Sequence, residues 1–165
     1  MIVYRTYGLT LESNEPIAGL VAIDALPVDC TIRFGELPPI IDAYCFAYAD
    51  KTRFVVARDG SAIWCTWETT AEDAATYLLG PILAFVVRLR GALALHASAV
   101  LVDDRAIVFA APPGGGKSTL AAAFARRGHA VLADDVVRLE PGRRAYSPPI
   151  SAGAPEPADY KSAIP

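Results

Sequence analysis

The residues with the clearest capacity for chemistry lie between Ala111 and Ser118, which read APPGGGKS. Gly114, Gly115 and Gly116 have no Cβ, so successive backbone N–H groups can turn inward around an anion. Lys117 offers a mobile cation to the outer oxygens of a nucleotide, and Ser118 offers a hydroxyl to Mg²⁺. Thr119 continues into an expected helix, whose N-terminal partial positive charge adds to the site. The pattern is that of a phosphate-binding loop with Ala111 in the first glycine position. A chance Gly-rich turn ending in Lys-Ser is the competing reading. The context disfavours it, because an apolar strand (AIVFA) enters the loop and a helix (TLAAAFARR) leaves it. Pro112 and Pro113 lack an N–H, so the first half of the loop has fewer donors.

A second group of candidates flanks this loop. Asp134 and Asp135 end an expected strand, VLA, and acids at such strand ends hold Mg²⁺ directly or through water. One carboxylate would steady the metal and the other would take the proton from an incoming hydroxyl. Spacing does not order the two, and a solvated acidic pair at a strand-to-turn junction is the alternative. Asp103-Asp104 lies between two strands with no motif and reads as a turn. His96 sits in the apolar run LALHASAVLV, where a satisfied core histidine is the default reading. His129 follows Gly128 at a helix end, where an imidazole can cap carbonyls.

These residues need elements to hold them. Residues 1–68 read as strands and turns: IVYRTYGLTL, Cys30 to Phe34, Ala43 to Tyr48, Arg53 to Ala57 and Ala62 to Trp67. Asp59-Gly60 marks a hairpin, since both residues tolerate positive φ. Residues 69–91 read as a helix, with Thr69 as cap and Glu72 completing a capping box. Gly80-Pro81 predicts a kink or two short helices, and Gly91 ends the run. Strands follow at Leu93 to Val102 and Ala106 to Ala110, a helix over Thr119 to Arg127, then strands at Ala130 to Ala133 and Val136 to Leu139. Residues 141–165 are rich in Pro, Ala and Ser and read as a tail.

Composition bounds the rest. A length of 165 residues suits one ordinary domain or two small ones, and 53% hydrophobic against 20% charged residues supplies a core. A net charge of −3 and a pI near 5.3 give no bulk attraction to nucleic acid or anionic membranes. Cys30, Cys45 and Cys65 fit no zinc spacing and read as buried reduced thiols. The first residues lack the apolar core of a signal peptide, and the run Leu78 to Val87 is too short for a bilayer. A cytoplasmic chain without membrane segments is the expectation.

The stretch LHASAVLVDDRAIVFAAPPGGGKSTLAAAFARRGHAVLADDVVRLE resembles the core of the HPr kinase/phosphorylase family. It is similar above all to the HPr-kinase-like serine kinases associated with lasso-peptide biosynthesis. The likeness rests on His96 in a strand, on Gly116-Lys117-Ser118, on Gly128-His129 and on Ala133-Asp134-Asp135. It extends to YRTYGLTLESNEPIAGL and YLLGPILAFVVRLRGALALHAS. The resemblance implies an α/β fold: a phosphate-loop nucleotide-binding core of the HPr kinase and phosphoenolpyruvate carboxykinase type over residues 92–140, preceded by a small β-rich region. It implies ATP and Mg²⁺ as cofactors. It implies a small protein or peptide substrate, a phosphocarrier or a lasso-peptide precursor, phosphorylated on Ser. Carried to this sequence, it makes Asp134 the base, Asp135 and Ser118 the metal contacts, and His96 a neighbour of the phosphates. Lys117 becomes the catalytic cation, within a nucleotide seat of Gly114 to Thr119. Family members continue past the Asp-Asp strand, so a shortened core is expected. Its tail from Pro141 would be mobile and dispensable, and its strand edge beyond Val136 to Leu139 exposed to a second copy. The alternatives are a non-catalytic nucleotide-binding module and an ATPase without a phosphoacceptor.

Overall fold

Tyr7 and Gly8 both take left-handed backbone angles, with φ of 50° and 67°. This tight turn splits the first β-rich run into two antiparallel strands, β1 (Ile2–Thr6) and β2 (Leu9–Ser13). The sequence reads that run as one segment, because Tyr is not a residue that announces positive φ. The computed structural model describes residues 1–24, 27–35, 37–38, 42–140 and 144–146. It divides into two compact units, Met1–Gly91 and Ala92–Pro165. Among the described residues, no helix is long and apolar enough to cross a membrane.

The first unit adds β3 (Cys30–Phe34), β4 (Ala43–Ala47), β5 (Arg53–Ala57) and β6 (Ala62–Thr66). The six strands run in the order β1-β2-β3-β6-β5-β4, with parallel pairing on both sides of β3. The loop between β5 and β6 is the hairpin expected at Asp59-Gly60. Only Gly60 adopts positive φ, however, and Asp59 instead accepts from the N–H and hydroxyl of Ser61. The helical segment consists of α1 (Ala71–Tyr77), a π-helical turn (Leu78–Ile82) and α2 (Leu83–Leu89). Pro81 has no N–H to donate, and the widened turn absorbs it without ending the helix. The N-cap is Thr70, not Thr69. Its hydroxyl accepts from the Asp73 N–H and donates to the Asp73 carboxylate, so Asp73 takes the part expected of Glu72.

Leu78, Ile82, Leu83, Val86 and Val87 are fully buried, and Phe85 meets Tyr44 and Phe46 edge to face. Arg90, just past α2, donates to the carbonyl of Asp29 and approaches its carboxylate. The helical segment is part of the first unit. Sheet and helices can bury their apolar faces only against each other.

The second unit contains β7 (Leu93–Val102), β8 (Arg105–Ala110), α3 (Lys117–Ala125), β9 (Val131–Glu140) and β10 (Arg144–Tyr146). Its strand order is β10-β9-β7-β8, all antiparallel. Asp103 and Asp104, at φ 48° and 57°, form the two-residue turn between β7 and β8. Ala97, Ala99, Leu132, Ala133 and Val137 form the core.

Three expectations change here. The two short strands flanking Asp134-Asp135 are a single strand, β9, because the ten-residue β7 pairs across the acids without interruption. The acids are therefore internal to an antiparallel strand rather than at its end. The edge of β9 expected to be open is paired by β10. The rest of the expected tail, residues 147–165, lies outside the described residues.

Cys30 and Cys65 are fully buried in β3 and β6, and burial pushes both thiols from an ordinary 9.0 up to about 12. Cys45 is exposed on the edge strand β4, against the expectation of three buried thiols. A thiol-directed reagent at neutral pH should modify Cys45 alone, and reach the other two only on unfolding. Since the folded-state values are raised, this stabilisation is complete below pH 9.0 and falls away as pH rises toward 12. Urea midpoints should accordingly drop through that window, and less steeply in Cys65→Ala.

Candidate functional site

The glycine-rich segment leaves the end of β8 and closes into a tight loop before α3. Gly114 and Gly116 have φ of 77° and 80°, in the left-handed region that costs other residues strain. Gly115 is constrained differently. Its N–H donates to the Pro112 carbonyl at 3.0 Å, and a Cβ there would lie 2.8 Å from Ala111 Cβ and 2.9 Å from Pro112 O. Gly116 is the N-cap of α3 and offers no capping side chain.

Lys117, the first residue of α3, is 8% exposed. Its ammonium donates to the carbonyls of Ala111 at 2.9 Å and Pro112 at 3.3 Å. Among the described residues, no carboxylate forms an ion pair with it. Pro112, which has no N–H to give, thus serves as an acceptor for both Gly115 and Lys117.

The other wall comes from β7 and β9. Their register sets Ser98 opposite Asp134, Ala97 opposite Asp135 and His96 opposite Val136. The Ser98 hydroxyl donates to Asp134 Oδ1 at 2.6 Å. His96 Nδ1 lies 2.9 Å from Asp135 Oδ1 and 3.1 Å from its carbonyl oxygen. His96 is exposed rather than a core histidine, because its strand position faces a cleft and not the alanine core.

That cleft has a volume of about 530 Å³ and is lined by Pro113 to Thr119 on one side and by His96, Ser98, Asp134 and Asp135 on the other. It brings together Gly114, Gly115, Gly116, Lys117, Ser118, Thr119, His96, Asp134 and Asp135, every residue singled out above as a site candidate. Ser98 is the addition that sequence reasoning missed. Its signal is the spacing from His96, since residues two apart on a strand share a face. His129 has a different role from the one expected. Its backbone N–H donates to the Phe124 carbonyl at 3.2 Å beside Gly128 at φ 89°, and its ring packs on Phe124. This is a Schellman-type helix end made by backbone rather than imidazole. Among the described residues, no three His, Cys, Asp or Glu side chains gather as a metal-binding group.

No protein-family model matches the chain, nor does any curated protein or solved structure.

The loop geometry separates two substitutions. Gly115→Ala forces a Cβ into backbone and should cost about 1–3 kcal/mol, as overpacking does. Gly114→Ala meets open space and carries only left-handed strain, about 1 kcal/mol. Urea denaturation followed by circular dichroism should rank the variants in that order.

Proposed function

We propose that this protein is an ATP- and Mg²⁺-dependent kinase of the HPr-kinase-like type. It would phosphorylate a serine hydroxyl on a small protein or peptide, such as a phosphocarrier or a lasso-peptide precursor. Its second unit would then be a phosphate-loop nucleotide-binding core, acting in the cytoplasm. The observation that carries this reading is the convergence of the Gly114-to-Ser118 loop and the Asp134-Asp135 pair on one cleft.

The donors suit an anion. An ammonium that is nearly buried and, among the described residues, held by carbonyls alone has neutral partners where a charged one would bind more strongly. Phosphate oxygens can replace those carbonyls, with the backbone N–H groups of Gly116 to Thr119 completing the seat. The Ser118 hydroxyl and the Asp135 carboxylate are hard oxygen donors on the same cleft, of the kind that holds Mg²⁺ beside phosphates. When bound, Mg²⁺ would neutralise charge on the outer phosphates. Asp134 accepts the proton of the incoming serine hydroxyl. His96, paired with Asp135, lies beside the phosphates. Lys117 offsets the charge that develops as the phosphoryl group departs.

Lys117→Ala should weaken ATP binding about 10–100-fold by calorimetry, the value of a charge-assisted hydrogen bond. Unchanged affinity would refute the nucleotide seat. Asp134→Asn should keep ATP binding while lowering transfer of labelled phosphate to a phosphocarrier or precursor peptide by about 10²–10⁴-fold. ATP binding without transfer points to a nucleotide-binding module, and phosphate release without transfer to an ATPase.

A further inference from the structure

Ser98 occupies an unusual place for a hydroxyl. It is 1% exposed, yet it lines the cleft and donates a 2.6 Å hydrogen bond to an acid that is itself exposed. We propose that Ser98 is a positioning residue that holds the Asp134 carboxylate in the orientation needed to take a proton. The proposal rests on the reading of Asp134 as the base.

The backbone makes this contact hard to lose. Ser98 and Asp134 are directly opposite in the β7–β9 ladder, where cross-strand side chains sit closest. The residues on either side of Ser98, Ala97 and Ala99, are fully buried in the core of the second unit. Shifting the register by one would expose both alanines to the cleft and push Ser98 into apolar packing. The serine therefore cannot leave without breaking the core.

The chemistry suits the role. A hydroxyl has one proton to donate, and Ser98 gives it to Oδ1. A carboxylate has two oxygens, so Oδ2 can still accept a proton. Bonds of this length to an ionised acceptor are among the stronger ones in proteins. Without Ser98, an exposed Asp134 side chain would have rotamer freedom to lose before it could act. The neighbouring acid has its own holder, because His96, two residues earlier on the same strand, engages Asp135. Each acid of the pair is thus matched with one polar residue of β7. Burial of Ser98 argues that it orients the base rather than receives the phosphoryl group.

The test uses the full chain with Mg-ATP alone, water serving as acceptor. Ser98→Ala should bind ATP within about twofold of the parent by calorimetry and release phosphate roughly 10–100-fold more slowly, the usual effect of removing an outer-shell partner. Ser98→Thr keeps the hydroxyl and should recover most of the rate. Adding Ser98→Ala to Asp134→Asn should cause no further loss, since both act through one group. A parental rate in Ser98→Ala, no recovery with Thr, or a fully additive double variant would overturn the proposal. Asp134→Asn turning over as fast as the parent would instead overturn the base reading on which it rests. Phosphate on the tryptic peptide 91–105, whose sole hydroxyl side chain is Ser98, would make that serine an acceptor and overturn the proposal too. A readout independent of turnover is the Ser98 hydroxyl proton by NMR. It should exchange slowly and shift upfield in Asp134→Asn, and rapid exchange in the parent chain would overturn the proposal even if the chain released no phosphate.

Discussion

The antiparallel register of β7 against β9 is the constraint on which the cleft depends. Side chains alternate along a strand, so one register decides both what enters the core and what faces outward. Ala97, Ala99 and Ala133 on these strands are fully buried or nearly so. With those alanines inward, Ser98 meets Asp134 and His96 comes within reach of Asp135. Small side chains also let α3 pack against both strands, with Ala121 as its buried apolar contact. The helix start, and with it Lys117, Ser118 and Thr119, is thereby set across the cleft from the acids.

The two walls of the cleft carry opposite charge. One side has the ammonium of Lys117 and the uncapped N-terminus of α3, and the other has two adjacent carboxylates. The walls do not neutralise one another, because Lys117 bonds to loop carbonyls and the acids bond to Ser98 and His96. An anion suits the first wall and a cation the second. A metal–polyphosphate pair presents both, and the proposed function draws on that pairing.

Much of the second unit was legible because its signals are local. Three consecutive glycines followed by Lys-Ser define a loop and a helix start through backbone freedom alone, and Gly114 and Gly116 use that freedom at positive φ. Asp103-Asp104 was legible as a turn for the same reason. In the first unit the Gly80-Pro81 interruption was legible because proline lacks a donor wherever it sits. Other features depended on partners distant in sequence. Whether Asp134-Asp135 ends a strand or lies within one depends on β7, and whether the β9 edge is open depends on β10. Tyr7 gave no sign of a turn, and Thr70 displaced Thr69 as cap because Asp73 reaches its hydroxyl.

By itself, then, the sequence determined the residue types and the local backbone of the loop, since φ preference and missing N–H groups are properties of each residue. It also determined which residues carry titratable or metal-binding groups. Only the tertiary structure decided which of these share a cleft, that His96 is exposed and Cys45 is not buried, and that Ser98 holds Asp134. The reason is that exposure and cross-strand contact are set by register and packing between segments tens of residues apart, and no single segment encodes them.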